Sequence, residues 1–260
     1  MLLKAYAKVN LVLKVLGKND YNYHNLQMLN AKIDLYDQID VKKNNKKNDL
    51  VKFRGLNQEN IKDDLVLRCI NIIKNYYNID DCFDITITKQ IPIGAGMGGG
   101  SCDVATIVKY LLRRYHIEED LNQLIHLLKD QSADIPYCLT NKIAFVEGIG
   151  EKVSEIFVAI PDECILVNPH ISISTKEVFE KVKNYSKPLT KDSLMKQIAT
   201  KGYSIFNNDL EEAAFLLYPQ LQEIKNNLSK IGHTVMSGSG STMMVFGDDL
   251  ASMYEQIKKI

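Results

Sequence analysis

The chain has 260 residues, of which 45% are hydrophobic and 25% are charged. This length suits one large domain or two modest ones, and the composition is that of an ordinary globular protein with a sizeable core. Lys plus Arg and Asp plus Glu both number 32, so the sequence offers no basic surplus typical of nucleic-acid binding. No apolar segment approaches the roughly 20 residues of a membrane helix, so no membrane partner is expected.

The cysteines indicate a reducing compartment. There are five, an odd number, and no two have the CxxC spacing of a zinc or redox motif. The N-terminus shows no apolar signal core, so we expect a cytoplasmic location rather than a secreted disulfide framework. The histidines have no metal-ligand spacing either, and no protein metal site is predicted.

The first part of the chain is predicted to be rich in β-structure. Alternating apolar residues predict strands over Ala5–Val15, 26–40 and 83–88. Helical spacing after Asp64 predicts a helix that ends at Tyr77. The polar run 42–48 is predicted to be a hairpin tip or a surface loop.

Helices become more frequent further along the chain. The pattern predicts helices over Asp103–Tyr115, 122–128, 175–183 and 210–231. Strands are predicted over 143–146, 163–167, 233–236 and 242–246, and the last two flank a second glycine and serine cluster, Ser237–Ser241. The composition changes near Pro161, where the strand over 163–167 would open a second domain.

A glycine-rich segment follows the strand over 83–88. Five of the seven residues from Gly94 to Gly100 are glycine. Their bare N–H groups can form an anion-binding nest, and the start of the next helix adds unpaired N–H donors and partial positive charge. We therefore predict a phosphate-binding loop. The loop is not a Walker motif, because it has no lysine. It is not a dinucleotide-binding fingerprint either, because residues 113–119 do not form the second strand that would end in an acidic residue. The alternative is an ordinary flexible turn.

The segment Pro92–Ala105, PIGAGMGGGSCDVA, resembles the phosphate loop of the GHMP kinases, which include galactokinase, homoserine kinase, mevalonate kinase and phosphomevalonate kinase. Further segments resemble the same family: 7–11, 17–18, 23–26, 132–137, 146–152, 208–211 and Met236–Gly247. Together they narrow the resemblance to members that phosphorylate the 2-hydroxyl of 4-diphosphocytidyl-2-C-methyl-D-erythritol, a step of the non-mevalonate isoprenoid route.

The resemblance implies an α+β, two-lobed fold. An N-terminal α/β domain, 1–160, would carry the phosphate loop, and a C-terminal ferredoxin-like domain, 161–260, would follow. The composition change near Pro161 is consistent with this boundary. The implied cofactors are ATP and Mg²⁺, and the implied partner is a small-molecule substrate, cytidine diphosphate-linked methylerythritol. No oligomeric state is predicted.

The resemblance also assigns catalytic and nucleotide-binding residues. Asp134 would be the general base and Lys8 its cationic partner. ATP would be held by Pro92, Ile93, Gly94, Ala95, Gly96, Met97, Gly98, Gly99, Gly100, Ser101 and Cys102. Independently of the family, Lys8 lies in an apolar strand, where burial without an acidic partner is costly, although an exposed edge position is equally open. Asp134 taken alone would cap the turn before Pro136.

The cytidine pocket would be formed by Tyr23, His24 and Phe179, since aromatic rings can stack on a base. Asn10 and Thr175 would contact the sugar-like or phosphate portions of the substrate. Without the family, Phe179 would be an ordinary core residue of a helix and His24 a structural histidine.

Three residues depart from the family pattern. Asn22 and Ser132 replace glycines, and Cys102 replaces the second serine of the loop. Asparagine tolerates left-handed backbone, so we expect the turn at Asn22 to survive. Two alternatives remain: another kinase of the family, acting on homoserine or a mevalonate-type substrate, and a catalytically silent sensor of the same fold. The retained Lys8 and Asp134 argue against the sensor.

Overall fold

The computed structural model describes residues 2–55, 65–140 and 142–259. The strands are β1 Leu2–Lys18, β2 His24–Asn44, β3 Leu50–Gly55, β4 Cys82–Lys89, β5 Ala144–Gly148, β6 Lys152–Glu155, β7 Ile165–Val167, β8 Asn207–Asn208, β9 His233–Met236 and β10 Met243–Phe246. The helices are α1 Leu65–Tyr77, α2 Gly99–Arg114, α3 Leu121–Leu128, α4 Ile135–Cys138, α5 Thr175–Lys181, α6 Lys191–Lys201, α7 Leu210–Leu217, α8 Pro219–Leu228 and α9 Leu250–Ile257, with a 3₁₀ turn at Gly202–Ile205. Over these residues, no helix is long and apolar enough to cross a membrane.

The chain divides into two compact units, each built from separate segments. The first unit contains the described residues of Met1–Lys8, Lys32–Ile93 and Gly98–Asn141. The second contains those of Val9–Ala31, Gly94–Met97 and Lys142–Ile260. The chain therefore passes from one unit to the other within β1, within β2 and within the glycine loop.

The first unit contains β3, β4, the second half of β2 and the beginning of β1, which are neighbours in that order in one sheet, and its helices pack beside them. The second half of β2 pairs antiparallel with β4, so that Ile39 lies opposite Ile87, and β4 pairs parallel with β3. Alternate residues of β4, including Phe83, Ile85 and Ile87, are buried, which confirms the strand predicted from their spacing. The apolar faces of α1 and α2 complete this core.

The helix predicted to begin at Asp103 begins four residues earlier, at Gly99. Gly98 takes left-handed backbone just before the helix, and the Cys102 N–H donates to its carbonyl oxygen to close the first turn. The sequence pattern missed this turn because glycine is a poor helix former in the interior of a helix. The glycine loop therefore includes the first turn of α2. The proposed cap of α1, Asp64, lies outside the described residues.

The second unit contains two groups of strands. The first half of β2 pairs antiparallel with β5, β5 pairs with β6, and β1 pairs parallel with β8 through Val12 and Leu13. A separate antiparallel sheet has the order β7-β10-β9. The prediction of one helix over 210–231 is wrong, because α7 ends at Leu217 and α8 begins at Pro219. Proline has no N–H to continue α7 but is favoured at the first position of a new helix.

Candidate active site

A buried lysine and a half-exposed aspartate form an ion pair in the first unit. Lys8 Nζ lies 2.9 Å from Asp134 Oδ1, and the side chains are 4% and 35% exposed. Lys8 is therefore not an exposed edge residue, and its burial in β1 is compensated by an acidic partner, the costlier of the two positions that the sequence left open. Asp134 precedes α4, but its side chain makes no capping hydrogen bond there. Its carboxylate is held by Lys8 and remains accessible to a ligand.

The start of α2 lies against this ion pair. Gly98 has φ +64°, and a Cβ atom built on it would lie 2.9 Å from Lys8 Cε and 3.5 Å from Asp134 Oδ2. Only a residue without a side chain allows the backbone to approach so closely. The end of the glycine loop and the Lys8–Asp134 pair are consequently neighbours within one unit.

The N-terminus of α2 is suited to binding an anion. Its first N–H groups have no partner within the helix, and Gly98 at the N-cap position has no side chain to cap them. These donors and the helix dipole favour negative charge at Gly99 and Gly100. The Ser101 hydroxyl lies 3.0 Å from that of Ser132, which also accepts a weak 3.4 Å hydrogen bond from the Asp134 N–H. Ser132, which replaces a glycine of the family pattern, thus contacts the glycine loop at Ser101.

The earlier part of the loop is anchored in the second unit. Gly94 and Gly96 have φ of +68° and +76°, whereas the side chains of Ala95 and Met97 are buried. The Ser237 hydroxyl donates to the Gly96 carbonyl oxygen over 3.0 Å. A Cβ atom at Gly96 would collide with the carbonyl oxygen of Ser237. The second glycine and serine cluster therefore supports the loop directly.

The same serine contacts the predicted substrate residue Asn10. The Ser237 hydroxyl accepts a 3.3 Å hydrogen bond from the Asn10 backbone N–H, and the Asn10 amide donates to Asn30 Oδ1 over 2.7 Å. Buried Asn208 holds the cluster from the other side, because its amide donates to the carbonyl oxygens of Met236 and Gly238, each over 2.7 Å. The sequence analysis identified the segments Ser237–Ser241 and 208–211. It assigned no role to Ser237 or Asn208 within them.

Two of the three predicted pocket aromatics are in contact. The ring centroids of His24 and Phe179 are 5.2 Å apart, with an angle of 31° between the planes. Tyr185, which the sequence did not suggest, lies 6.3 Å from His24. Tyr23 is 62% exposed, and the described contacts pair Phe179 with His24 rather than with Tyr23. Phe179 and Thr175 lie one turn apart on α5, and the Thr175 hydroxyl is 2.8 Å from that of Ser239.

The environment of His24 favours its neutral form. Burial and the nearby Lys18 charge lower the pKa of His24 below its ordinary value. Its Nε2 atom is buried and has no hydrogen-bond partner among the described residues. Because the unused nitrogen is buried, a bond from His24 to the edge of a nucleobase stays a prediction.

Two family descriptions match separate parts of the chain. Residues 64–142 match the GHMP kinases N terminal domain, and residues 191–260 match the GHMP kinases C terminal domain. A protein of Lachnoclostridium phytofermentans named 4-diphosphocytidyl-2-C-methyl-D-erythritol kinase is 35% identical over 95% of this chain and 88% of its own length. The chain belongs to the GHMP kinase family. Its α+β class, expected from the sequence, is confirmed.

Other relatives of this GHMP kinase carry the same name. A protein of Clostridium beijerinckii, also named 4-diphosphocytidyl-2-C-methyl-D-erythritol kinase, is 33% identical over 100% of this chain and 96% of its own length. A crystal structure of a 4-(cytidine 5'-diphospho)-2C-methyl-D-erythritol kinase superimposes with a TM-score of 0.82 at 28% identity, covering 100% of this chain and 96% of the other. The likeness therefore extends through both kinase domains.

Two further residues, Asn22 and Cys102, depart from the family's sequence pattern, and the structure shows the surroundings of each. Asn22 has φ +65°, so the left-handed turn expected there is present. Cys102 is buried with its sulfur 3.3 Å from that of Cys138, which places the thiol in the core below the loop. A nucleotide contact by Cys102 stays a prediction.

The loop of this GHMP kinase fits the ATP that the family uses. Gly94, Gly96 and Gly98 all take positive φ, and the uncapped start of α2 follows directly. Among the residues that the structure describes, no three His, Cys, Asp or Glu side chains form a metal-binding group.

Proposed function

We propose that this chain transfers the γ-phosphoryl group of ATP to the 2-hydroxyl of 4-diphosphocytidyl-2-C-methyl-D-erythritol, in the non-mevalonate isoprenoid route. The observation that carries the proposal is the near full-length similarity to kinases named for this substrate. The Lys8–Asp134 pair beside the start of α2 supplies the chemistry that such a transfer needs.

The reaction follows from the roles of two side chains. Asp134 accepts the proton of the 2-hydroxyl while the hydroxyl oxygen forms a bond to the γ-phosphorus. The bond from the γ-phosphorus to the bridging oxygen breaks, and ADP leaves. Lys8, held 2.9 Å from Asp134, orients the carboxylate and stabilises negative charge that develops on the transferred group.

The residues from Pro92 to Cys102 would hold the triphosphate. The N–H groups at Gly99 and Gly100 and the Ser101 hydroxyl are suited to its β- and γ-phosphate oxygens. Mg²⁺ would arrive with the nucleotide, bound mainly by phosphate oxygens and water. We place the boundary between the two kinase domains at residues 160 and 161, and a cytoplasmic location accords with the use of ATP.

The cytidine base would bind at the aromatic cluster of the second unit. His24 and Phe179 are already in ring contact, so the base would stack on an exposed ring face beside them rather than between them. Exposed Tyr23 is suited to cover the other face of the base. Asn10 and Thr175 would contact the sugar-like and phosphate portions.

Other kinases of the family are the second candidate. Homoserine and mevalonate carry no nucleobase, so in a kinase for either acceptor the cluster of His24, Phe179 and Tyr185 would have no acceptor base to bind. A silent sensor would not need a buried lysine paired with an accessible carboxylate.

The deciding experiment mixes the purified protein with Mg²⁺, ATP and 4-diphosphocytidyl-2-C-methyl-D-erythritol and follows ADP and a new phosphomonoester by phosphorus NMR. Homoserine and mevalonate serve as control acceptors. Phosphomonoester formed only from the cytidine compound supports the proposal. Transfer to a control acceptor would overturn the substrate, and ATP binding without transfer to any acceptor would favour the sensor.

A further inference from the structure

Three ionisable side chains that the proposed reaction does not use are buried together in the first unit. Lys89 ends β4, Asp37 lies in β2 and Asp103 lies in α2. The Lys89 ammonium bonds Asp37 Oδ2 and lies 2.7 Å from Asp103 Oδ2. Lys89 is 5% exposed, and both aspartates are fully buried.

The cluster contacts the chain on both sides of the phosphate loop. Asp37 Oδ1 accepts hydrogen bonds from the backbone N–H groups of Gln90 and Ile91, over 2.6 and 2.9 Å. These residues lead directly into the loop. Asp103 follows the first turn of α2, where the loop ends. Lys89 therefore joins the entrance and the exit of the loop to the same strand, β2.

The Lys89 ammonium also lies against the start of α2. A Cβ atom built on Gly99 would be 3.3 Å from Lys89 Nζ and 3.1 Å from a methyl carbon of Ile91. Gly99 is the first residue of the helix whose N–H groups are suited to phosphate. The ammonium therefore borders the space that a side chain on Gly99 would fill, next to the backbone proposed to form the anion site.

We propose that Lys89 is a positioning residue for ATP, which holds the two ends of the phosphate loop through Asp37 and Asp103. This inference rests on the proposed role of the loop in binding the triphosphate. Lys89 does not contact the nucleotide; it fixes the backbone donors that do.

Stability alone is a poor explanation for such a cluster. Apolar side chains of similar volume often replace a buried ion pair without loss of stability, because desolvation offsets much of the attraction. The hydrogen bonding of the cluster is also incomplete, since Asp103 Oδ1 has no hydrogen-bond partner among the described residues. Burial raises the pKa of Asp103 to about 8, so its charged form is disfavoured inside the cluster. What the cluster provides beyond stability is a set of hydrogen bonds with fixed directions at the two ends of the loop.

The same unit provides a matched control. Lys74 forms a buried ion pair with Asp49, and Asp49 Oδ1 accepts a 2.7 Å hydrogen bond from the backbone N–H of Phe83. This pair has the same chemistry as Lys89 with Asp37, but it binds the beginning of β4 instead of the residues that enter the phosphate loop.

The test compares wild type, Lys89→Met and Lys74→Met by calorimetric titration with ATP and by amide hydrogen exchange at Gln90 and Ile91. We expect Lys89→Met to weaken ATP binding by about tenfold to a hundredfold and to speed exchange at both amides, because a misplacement of about 1 Å has effects of this size. Lys74→Met should lose comparable thermal stability and keep ATP binding within about twofold.

Asp103→Leu gives a second test, since it keeps about the size of the side chain and removes the oxygen atom that accepts from the Lys89 ammonium. ATP binding weakened by about threefold or more, with an unchanged fold, would support the role of the cluster. Wild-type ATP binding in both cluster variants, or an equal loss in Lys74→Met, would overturn it. So would failure of both cluster variants to fold while Lys74→Met folds. None of these measurements uses the cytidine compound, so failure of the proposed substrate would leave this test intact.

Discussion

The backbone of Gly98 lies against the side chain of Lys8, so closely that a Cβ atom on the glycine would be 2.9 Å from Lys8 Cε. This contact joins the phosphate loop to the proposed catalytic pair within the first unit. Under the proposed function, Gly98 is a direct structural link between the proposed nucleotide site and the proposed catalytic pair.

Replacement of Gly98 by alanine should therefore impair the reaction. The new methyl group would displace Lys8, and alanine is strained at φ +64°. We expect kcat for the phosphoryl transfer to fall about a hundredfold. Gly202→Ala is the matched control, because Gly202 has φ +55° with no atom within 4 Å of the added methyl group. It should lose about 1–3 kcal/mol of stability, because alanine is strained there too, and keep its kcat. Equal kcat in the two variants would contradict the link.

Asp134→Asn removes the proposed base while keeping the shape of the side chain. We expect kcat to fall by about 10²–10⁴, the usual contribution of a positioned general base, with ATP affinity nearly unchanged. Steady-state kinetics and calorimetric ATP titration measure the two quantities. The exposed Asp130→Asn should behave as wild type. A kcat for Asp134→Asn close to that of Asp130→Asn would remove the assignment of the base.

The aromatic cluster should control the Michaelis constant for the cytidine substrate. Each stacked ring contributes about 1–3 kcal/mol, so Tyr23→Ala and Phe179→Ala should each raise this constant by about fivefold to a hundredfold. The KM for ATP should not change. Phe157, which is 81% exposed, provides a control phenylalanine whose replacement by alanine should change neither constant. An unchanged KM in the two pocket variants would show that the base binds elsewhere.

Buried Asp103 should make the stability of the protein depend on pH. Burial raises the pKa of Asp103 from 3.8 to about 8, so the folded chain retains a proton that the unfolded chain has released. The contribution of Asp103 is fully present below the unfolded value and is lost as the pH rises to the folded value. The free energy of unfolding should therefore decrease over this interval.

Denaturant titrations at several pH values within this interval measure the dependence. Asp103→Asn has no proton to release and should flatten the slope, whereas Asp130→Asn should retain it. A slope that persists in Asp103→Asn would assign the proton to another group.

Local patterns in the sequence predicted the elements whose causes are local. The alternation of Phe83, Ile85 and Ile87 identified β4, and the glycines identified the loop. The start of α2 was misplaced because two glycines form its first turn. The break before Pro219 was missed because apolar spacing continued through it, although the proline itself carried the signal.

The site was harder to predict, because its contacts join residues far apart in the chain. The burial cost of Lys8 indicated an acidic partner, yet only the resemblance to a family pointed to Asp134. No local signal led to Tyr185, or to the joining of Lys89 with Asp37 and Asp103. Hydrogen bonds of this kind depend on the tertiary fold, which a single sequence does not display.

The pairing of β1 with β8 has a consequence for synthesis on the ribosome. Val12 and Leu13 pair with Asn207 and Asn208. Strand β1 therefore leaves the ribosome early but can pair with β8 only after most of the chain has been made. Until then the apolar second half of β1 lacks this neighbour and is open to mispairing. We expect nascent chains truncated before β8 to expose this strand to chaperones, and the full-length chain to release them.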